Sequence, residues 1–167
     1  MLHRPPRTTG PRVANRLKFD QENIATGRIV ASYFETVDGE IGAIDDESSY
    51  SRYVLETEFP GMQGPITVKV FTGTALRSEP VRVVNAGRGK KNERVEYNKF
   101  TTLMLSLGQI ESIESIDKKT DSDMDFFQKS VEKMVGDHVK ARVEKNKRGF
   151  YAVLVDAIER VPAPIDD

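Results

Sequence analysis

The chemistry open to this sequence is limited first by what it lacks. It has no cysteine and only two histidines, His3 and His138. Disulfides, thiolate metal sites and thiol nucleophiles are therefore excluded, and neither a Ser-His-Asp triad nor a multi-histidine metal site has material to work with. The acids do not converge either. Asp45, Asp46 and Glu47 are consecutive, so they point in different directions and lack the alternating spacing of a calcium loop. Asp121, Asp123 and Asp125 have a metal-like spacing but fall at a helix start, where negative charge suits the helix dipole. His138 reads as a sheet-face residue. No catalytic residue, metal or cofactor is expected.

What the chain does cluster is positive charge near aromatic rings. Val81–Phe100 holds Arg82, Arg88, Lys90, Lys91, Arg94 and Lys99, with Tyr97 and Phe100 close by. Gly87-Arg88-Gly89-Lys90-Lys91-Asn92 reads as a tight loop whose glycines let a partner approach the backbone. Bases there suit a phosphate backbone, since neutralising phosphates releases condensed counterions. The alternative is a solvated loop that carries charge for solubility only. A Walker-type nucleotide loop does not fit, because Lys90 lacks the required glycine spacing and no Ser or Thr follows it. Near the other end lie Lys140, Arg142, Lys145, Lys147 and Arg148, with Tyr151 beside the turn. Lys69 on an earlier strand completes the set. A basic sheet face beside a ring is how single strands are held: charges track the backbone and each stacked base adds ~1–3 kcal/mol. Tyr33, Phe34, Tyr50 and Tyr53 are further rings, explained more simply by core or loop packing.

The elements that would position these residues follow from periodicity. In Gly27–Glu35, period-two alternation puts Ile29, Ala31 and Tyr33 on one face. Tyr53, Leu55, Thr57 and Phe59 share a face of Arg52–Phe59, and Ile66, Val68 and Val70 share another after a turn at Gly61–Pro65. Val81–Val84 reads as a further short strand or the end of a bent one. Phe100, Leu103, Met104 and Leu107 make the buried stripe of a helix capped by Asn98 and closed by Gly108. A second helix is expected over about 123–135, with Ser122 and Asp125 as its capping pair and Gly136 at its end. Ile110, Ile113 and Ile116 give the intervening linker room for one more helical turn. Val139, Ala141 and Val143 alternate with Lys140 and Arg142, Asn146–Gly149 turns the chain, and Phe150–Ile158 is apolar on both faces, as in a central strand.

The order is three strands, a helical insertion and two strands. That is the order of a five-stranded OB-fold barrel, mainly β with helices inserted (α+β). The single domain is expected over residues 19–160. Residues 1–18, with five bases and no acid, read as a mobile basic arm that buries little, and 161–167 as a short acidic tail held extended by its prolines. Charge is segregated between them. Residues 20–60 set ten acids against Arg28 and Arg52, and residues 61–100 set eight bases against three acids, while the whole chain carries only −1. No apolar run is long enough to span a membrane and the basic start lacks a signal-type stretch, so a cytoplasmic location is expected.

Tyr97-Asn98-Lys99-Phe100-Thr101-Thr102-Leu103-Met104-Leu105-Ser106-Leu107-Gly108 resembles the short helix ending in Ser-Leu-Gly of small phage single-stranded-DNA-binding proteins. Gly136-Asp137-His138-Val139-Lys140-Ala141-Arg142-Val143, then Gly149-Phe150-Tyr151-Ala152-Val153, is similar to their closing strand, turn and tyrosine-bearing last strand, with Asp137 where they carry lysine. The resemblance covers about residues 95–158. It implies an OB-fold that binds single-stranded DNA without catalysis during phage replication or recombination, with the acidic tail as a contact for another replication or recombination protein. Two other classes remain open: a sandwich-like phage or bacterial assembly protein, and an adaptor with an acidic surface built from residues 35–58.

Overall fold

The computed structural model describes residues 15–36, 50–87 and 90–164, with the backbone alone at 36, 50, 51, 82–87, 90–94, 121 and 125. Seven strands and two α-helices run in the order β1 Ile24–Thr36, β2 Tyr50–Phe59, β3 Ile66–Thr72, β4 Val81–Gly87, β5 Lys90–Glu96, α1 Lys99–Ser106, α2 Asp121–Glu132, β6 His138–Lys145 and β7 Tyr151–Val161. Five strands form one antiparallel sheet in the order β3-β2-β1-β6-β7, and β4 and β5 form a separate two-stranded sheet.

β1 is long because it serves two partners. Its first residues pair with β6, from Ile24↔Arg142 to Arg28↔His138, and the rest pair with β2, from Arg28↔Glu58 to Thr36↔Tyr50. The changeover falls at Arg28, next to Gly27, where a Cβ would lie 2.2 Å from the Glu58 carbonyl oxygen. Only glycine lets the strands cross so closely. A bulge between Ile29 and Ala31 then shifts the alternation by one residue. Ile29 is buried on the core side while Ala31 and Tyr33 face outward, so the expectation that all three share a face is corrected.

The inner face of the sheet packs on both helices. Phe34, Tyr53, Phe100 and Phe127 meet in angled contacts, with ring centroids 5.2 to 6.1 Å apart; each such pair adds ~0.5–1.5 kcal/mol beyond area burial. Phe34 and Tyr53 are thus core residues, and the Tyr50 side chain lies outside the described set. Phe100, Leu103, Met104 and Leu107 are buried as their spacing requires. Asn98 caps α1 by accepting from the Thr101 N–H, and Gly108 leaves it at φ +71°. The second helix starts earlier than expected. Thr120, not Ser122, is its N-cap, and Thr120 and Asp123 form a reciprocal capping box. The linker carries a 3-10 turn at Ile116–Lys118.

The sheet does not close into a barrel. β3 and β7 come within 8 Å at several Cα positions, yet no ladder joins them among the described residues. β7 is therefore an edge strand rather than the central one expected. Its second apolar face has another cover: α1 packs along it, and the Ser106 hydroxyl donates to the Val155 carbonyl at 2.6 Å. That carbonyl is freed because residues 154–157 of β7 bulge opposite Arg142 alone.

The last residues of the expected basic arm, 15–18, are docked. Residues 1–14 lie outside the described residues. The Lys18 N–H donates to Pro60 O and the Met62 N–H to Arg16 O, Leu17 bridges Gly61 and is buried, and its N–H donates to the Tyr151 hydroxyl at 3.2 Å. This segment ties the β2–β3 turn to the first residue of β7.

Candidate nucleic-acid interface

Four surfaces carry the residues singled out from sequence, and they differ in how far their charge is already compensated. On the outer face of β1, β2 and β3, Tyr33, Val54 and Phe71 lie side by side in register. Phe71 is 42% exposed, and the Arg52 guanidinium sits 4.5 Å from its centroid. Arg52 is hydrogen-bonded to Glu35, a bond that raises its pKa further. Lys69 pairs with Glu56 at 3.3 Å and Arg28 with Glu58 at 3.4 Å. Each cation on this face faces a carboxylate, which leaves little net field for a polyanion.

The outer face of β6 presents His138, Lys140 and Arg142, opposite inward Val139, Ala141 and Val143, as the alternation required. Lys140 and Arg142 line a groove of about 490 Å³ together with Asp156 and Glu159, so this surface is mixed rather than basic.

The expected basic loop is instead a hairpin. β4 and β5 pair from Val81↔Glu96 to Gly87↔Lys90, which puts Lys90 and Arg94 on one face, and Arg82 and Lys91 on the other. Arg88 lies outside the described residues. At the root, Tyr97 is half-buried and Lys99 exposed; both line a groove of about 540 Å³ against Val153–Asp156 of β7.

The β6–β7 turn is the fourth surface. The Asn146 side-chain oxygen accepts the N–H groups of Arg148 at 2.9 Å and Phe150 at 3.0 Å. The Asn146 N–H donates to Phe150 O, and Gly149 N–H to Asn146 O. Gly149 sits at φ +83°, a conformation suited to glycine. The turn is thus fixed by its own backbone. It exposes Lys145, Lys147 and Arg148, and among the described residues none of the three has a carboxylate within salt-bridge distance. Phe150 is 67% exposed. Tyr151 is half-buried against the core. Its hydroxyl accepts from Leu17, its ring meets Phe19 edge-on at 6.5 Å, and the Lys145 ammonium lies 5.2 Å from its centroid.

The structure therefore brings Lys145, Lys147, Arg148 and Tyr151 together and leaves Lys69, paired with Glu56, and Lys140 and Arg142, in a groove shared with Asp156 and Glu159, on separate faces. Sequence reasoning missed Phe150, Phe71 and Arg52. The signal for Phe150 was present: Tyr151 is in phase with inward Val153, so Phe150 must face the other way. Among the described residues no three acids or histidines gather as a metal site, and no helix is long and apolar enough to cross a membrane. Comparison with family models, curated proteins and solved structures finds no match to this chain.

Proposed function

We propose that this protein is a non-catalytic binder of single-stranded DNA, working through electrostatics and stacking without a cofactor. The observation that carries the reading is the self-locked β6–β7 turn, which holds Lys145, Lys147 and Arg148 without carboxylate partners among the described residues, beside an exposed ring. A rigid cationic turn loses little conformational entropy when it takes up phosphates. The β4–β5 hairpin, with Arg82, Lys90, Lys91 and Arg94 in its strands, supplies a second basic element. An OB-type architecture belongs to the same proposal. It is supported by a first strand shared between two partners, by the order β3-β2-β1-β6-β7, and by a helix packed beside the β3–β7 seam. A role in phage-type replication or recombination, with the acidic tail meeting a partner there, rests on the sequence resemblance.

Fluorescence anisotropy with labelled single- and double-stranded oligonucleotides at low salt is the direct test. Single strands are expected to bind more tightly, with log affinity falling linearly against log salt. Changing Lys147 and Arg148 to Ala should flatten that slope by ~0.7 per lost phosphate contact, at every sequence alike. Absence of single-strand binding at low salt would reject the proposal and favour an assembly role, which sizing experiments would reveal as large particles.

A further inference from the structure

We infer that Phe150 is the ring on which a nucleobase stacks, and that Tyr151 is a positioning residue that fixes segment 15–19 against the turn. The inference rests on the single-strand-binding reading above and deepens it.

Two neighbouring rings stand at the start of β7, and neighbouring residues of a strand point to opposite sides. They cannot do the same work. Tyr151 is committed: its hydroxyl accepts the Leu17 N–H, its edge meets Phe19, and the Lys145 ammonium approaches its ring. A base could stack there only by displacing one of these. Phe150 is 67% exposed, while its own N–H and C=O are both held by Asn146. Its ring is open but its base is fixed, the arrangement that costs least to order on binding. A lone exposed phenylalanine needs no explanation. This one stands beside Lys147 and Arg148, in a stretch with no acid between Glu144 and Asp156. Exposed cations next to an open ring match a nucleotide, phosphate to the cations and nucleobase to the ring, better than they match an apolar protein patch.

The chain contains no tryptophan, so Phe150→Trp gives a single reporter at the position in question. Adding oligo(dT) should quench the introduced indole with an affinity close to that of the unaltered protein. Phe150→Ala should weaken binding about 5- to 150-fold, the equivalent of a ~1–3 kcal/mol base stack, with an unchanged salt slope and an unchanged melting temperature. Tyr151→Phe, which keeps the ring and removes only the acceptor for Leu17, should bind within about twofold of the unaltered protein. It should also expose Arg16 and Lys18 to faster trypsin cleavage, a readout that stacking would not move. Intact single-strand binding with no quenching, or with no loss in Phe150→Ala, would overturn the stacking role while leaving the binding proposal standing. Equal cleavage of Tyr151→Phe and the unaltered protein would overturn the positioning role. No binding by the unaltered protein would instead remove the reading on which both depend.

Discussion

Ser32 has one hydroxyl proton, and it goes to the Val131 carbonyl at 2.7 Å. The Tyr53 hydroxyl, 2.5 Å away in the core, must therefore be the donor in its bond to Ser32. This pair joins β1, β2 and α2 through polar atoms that have no access to water. Ser32→Ala should leave the phenol without an acceptor and cost ~1–3 kcal/mol, whereas Tyr53→Phe, which keeps the ring, should cost only ~0.5–1.5 kcal/mol; chemical denaturation of both variants checks the asymmetry. Burial pushes the Tyr53 phenol well above its ordinary value of 10, more than the Ser32 bond lowers it. The stability linked to the neutral phenol is fully present below pH 10 and is lost as pH climbs toward the raised value. The alkaline limb of a melting profile should accordingly flatten in Tyr53→Phe; an unchanged limb would show that other groups control it. None of this was legible in sequence. A serine and a tyrosine 21 positions apart reveal no shared core site, although the ring of Tyr53 was itself best read as packing rather than as a binding surface.

Elements were legible where their signals are local. The first helix could be read from Asn98, the Phe100–Leu107 stripe and Gly108, all within a dozen residues. Leu103 is fully buried, so Leu103→Ala should cost ~2–5 kcal/mol, and a change under ~0.5 kcal/mol would contradict its packing. The second helix was read with its cap two residues late. Asp123 accepts from both the backbone and the side chain of Thr120, which lowers its pKa; its contribution holds above the ordinary carboxylate value of 3.8 and fades as pH falls. Thr120→Ala should remove ~0.5–2 kcal/mol, measurable by thermal melting. The β4–β5 hairpin was missed because Lys90–Glu96 lacks an apolar alternation and its strand character comes from cross-strand backbone pairing. A two-stranded hairpin is marginal in water by itself. Hydrogen exchange in β4 and β5 should therefore be fast in the free protein and slow when single-stranded DNA is added, if the hairpin shares the interface.

At the scale of the molecule, the order of the main-sheet strands was anticipated, and the barrel expected from it does not close. Order follows from which segments can be strands, whereas closure depends on whether β3 and β7 exchange backbone hydrogen bonds, and the bulge at 154–157 diverts one Val155 carbonyl to α1. Part of the open seam is spanned by residues 15–18, so the N-terminal segment has a structural role that its composition hid. Leu17→Ala should cost ~2–5 kcal/mol and lower the melting temperature by ~2–4 °C per kcal/mol; an unchanged midpoint would show the docking to be incidental. The division of β1 between two partners has a consequence for biosynthesis. β1 is complete at Thr36 and β2 at Phe59, but β6 begins only at His138. On a ribosome adding ~5–20 residues per second, the Ile24–Arg28 edge waits about 5–20 s for its partner. An unpaired edge is a template for another chain, and neighbouring nascent chains on one message would carry the same edge. Gly27 and Arg28 interrupt that edge with a weak strand former and a charge, so the residue that lets two strands cross also guards the growing chain until β6 has been made.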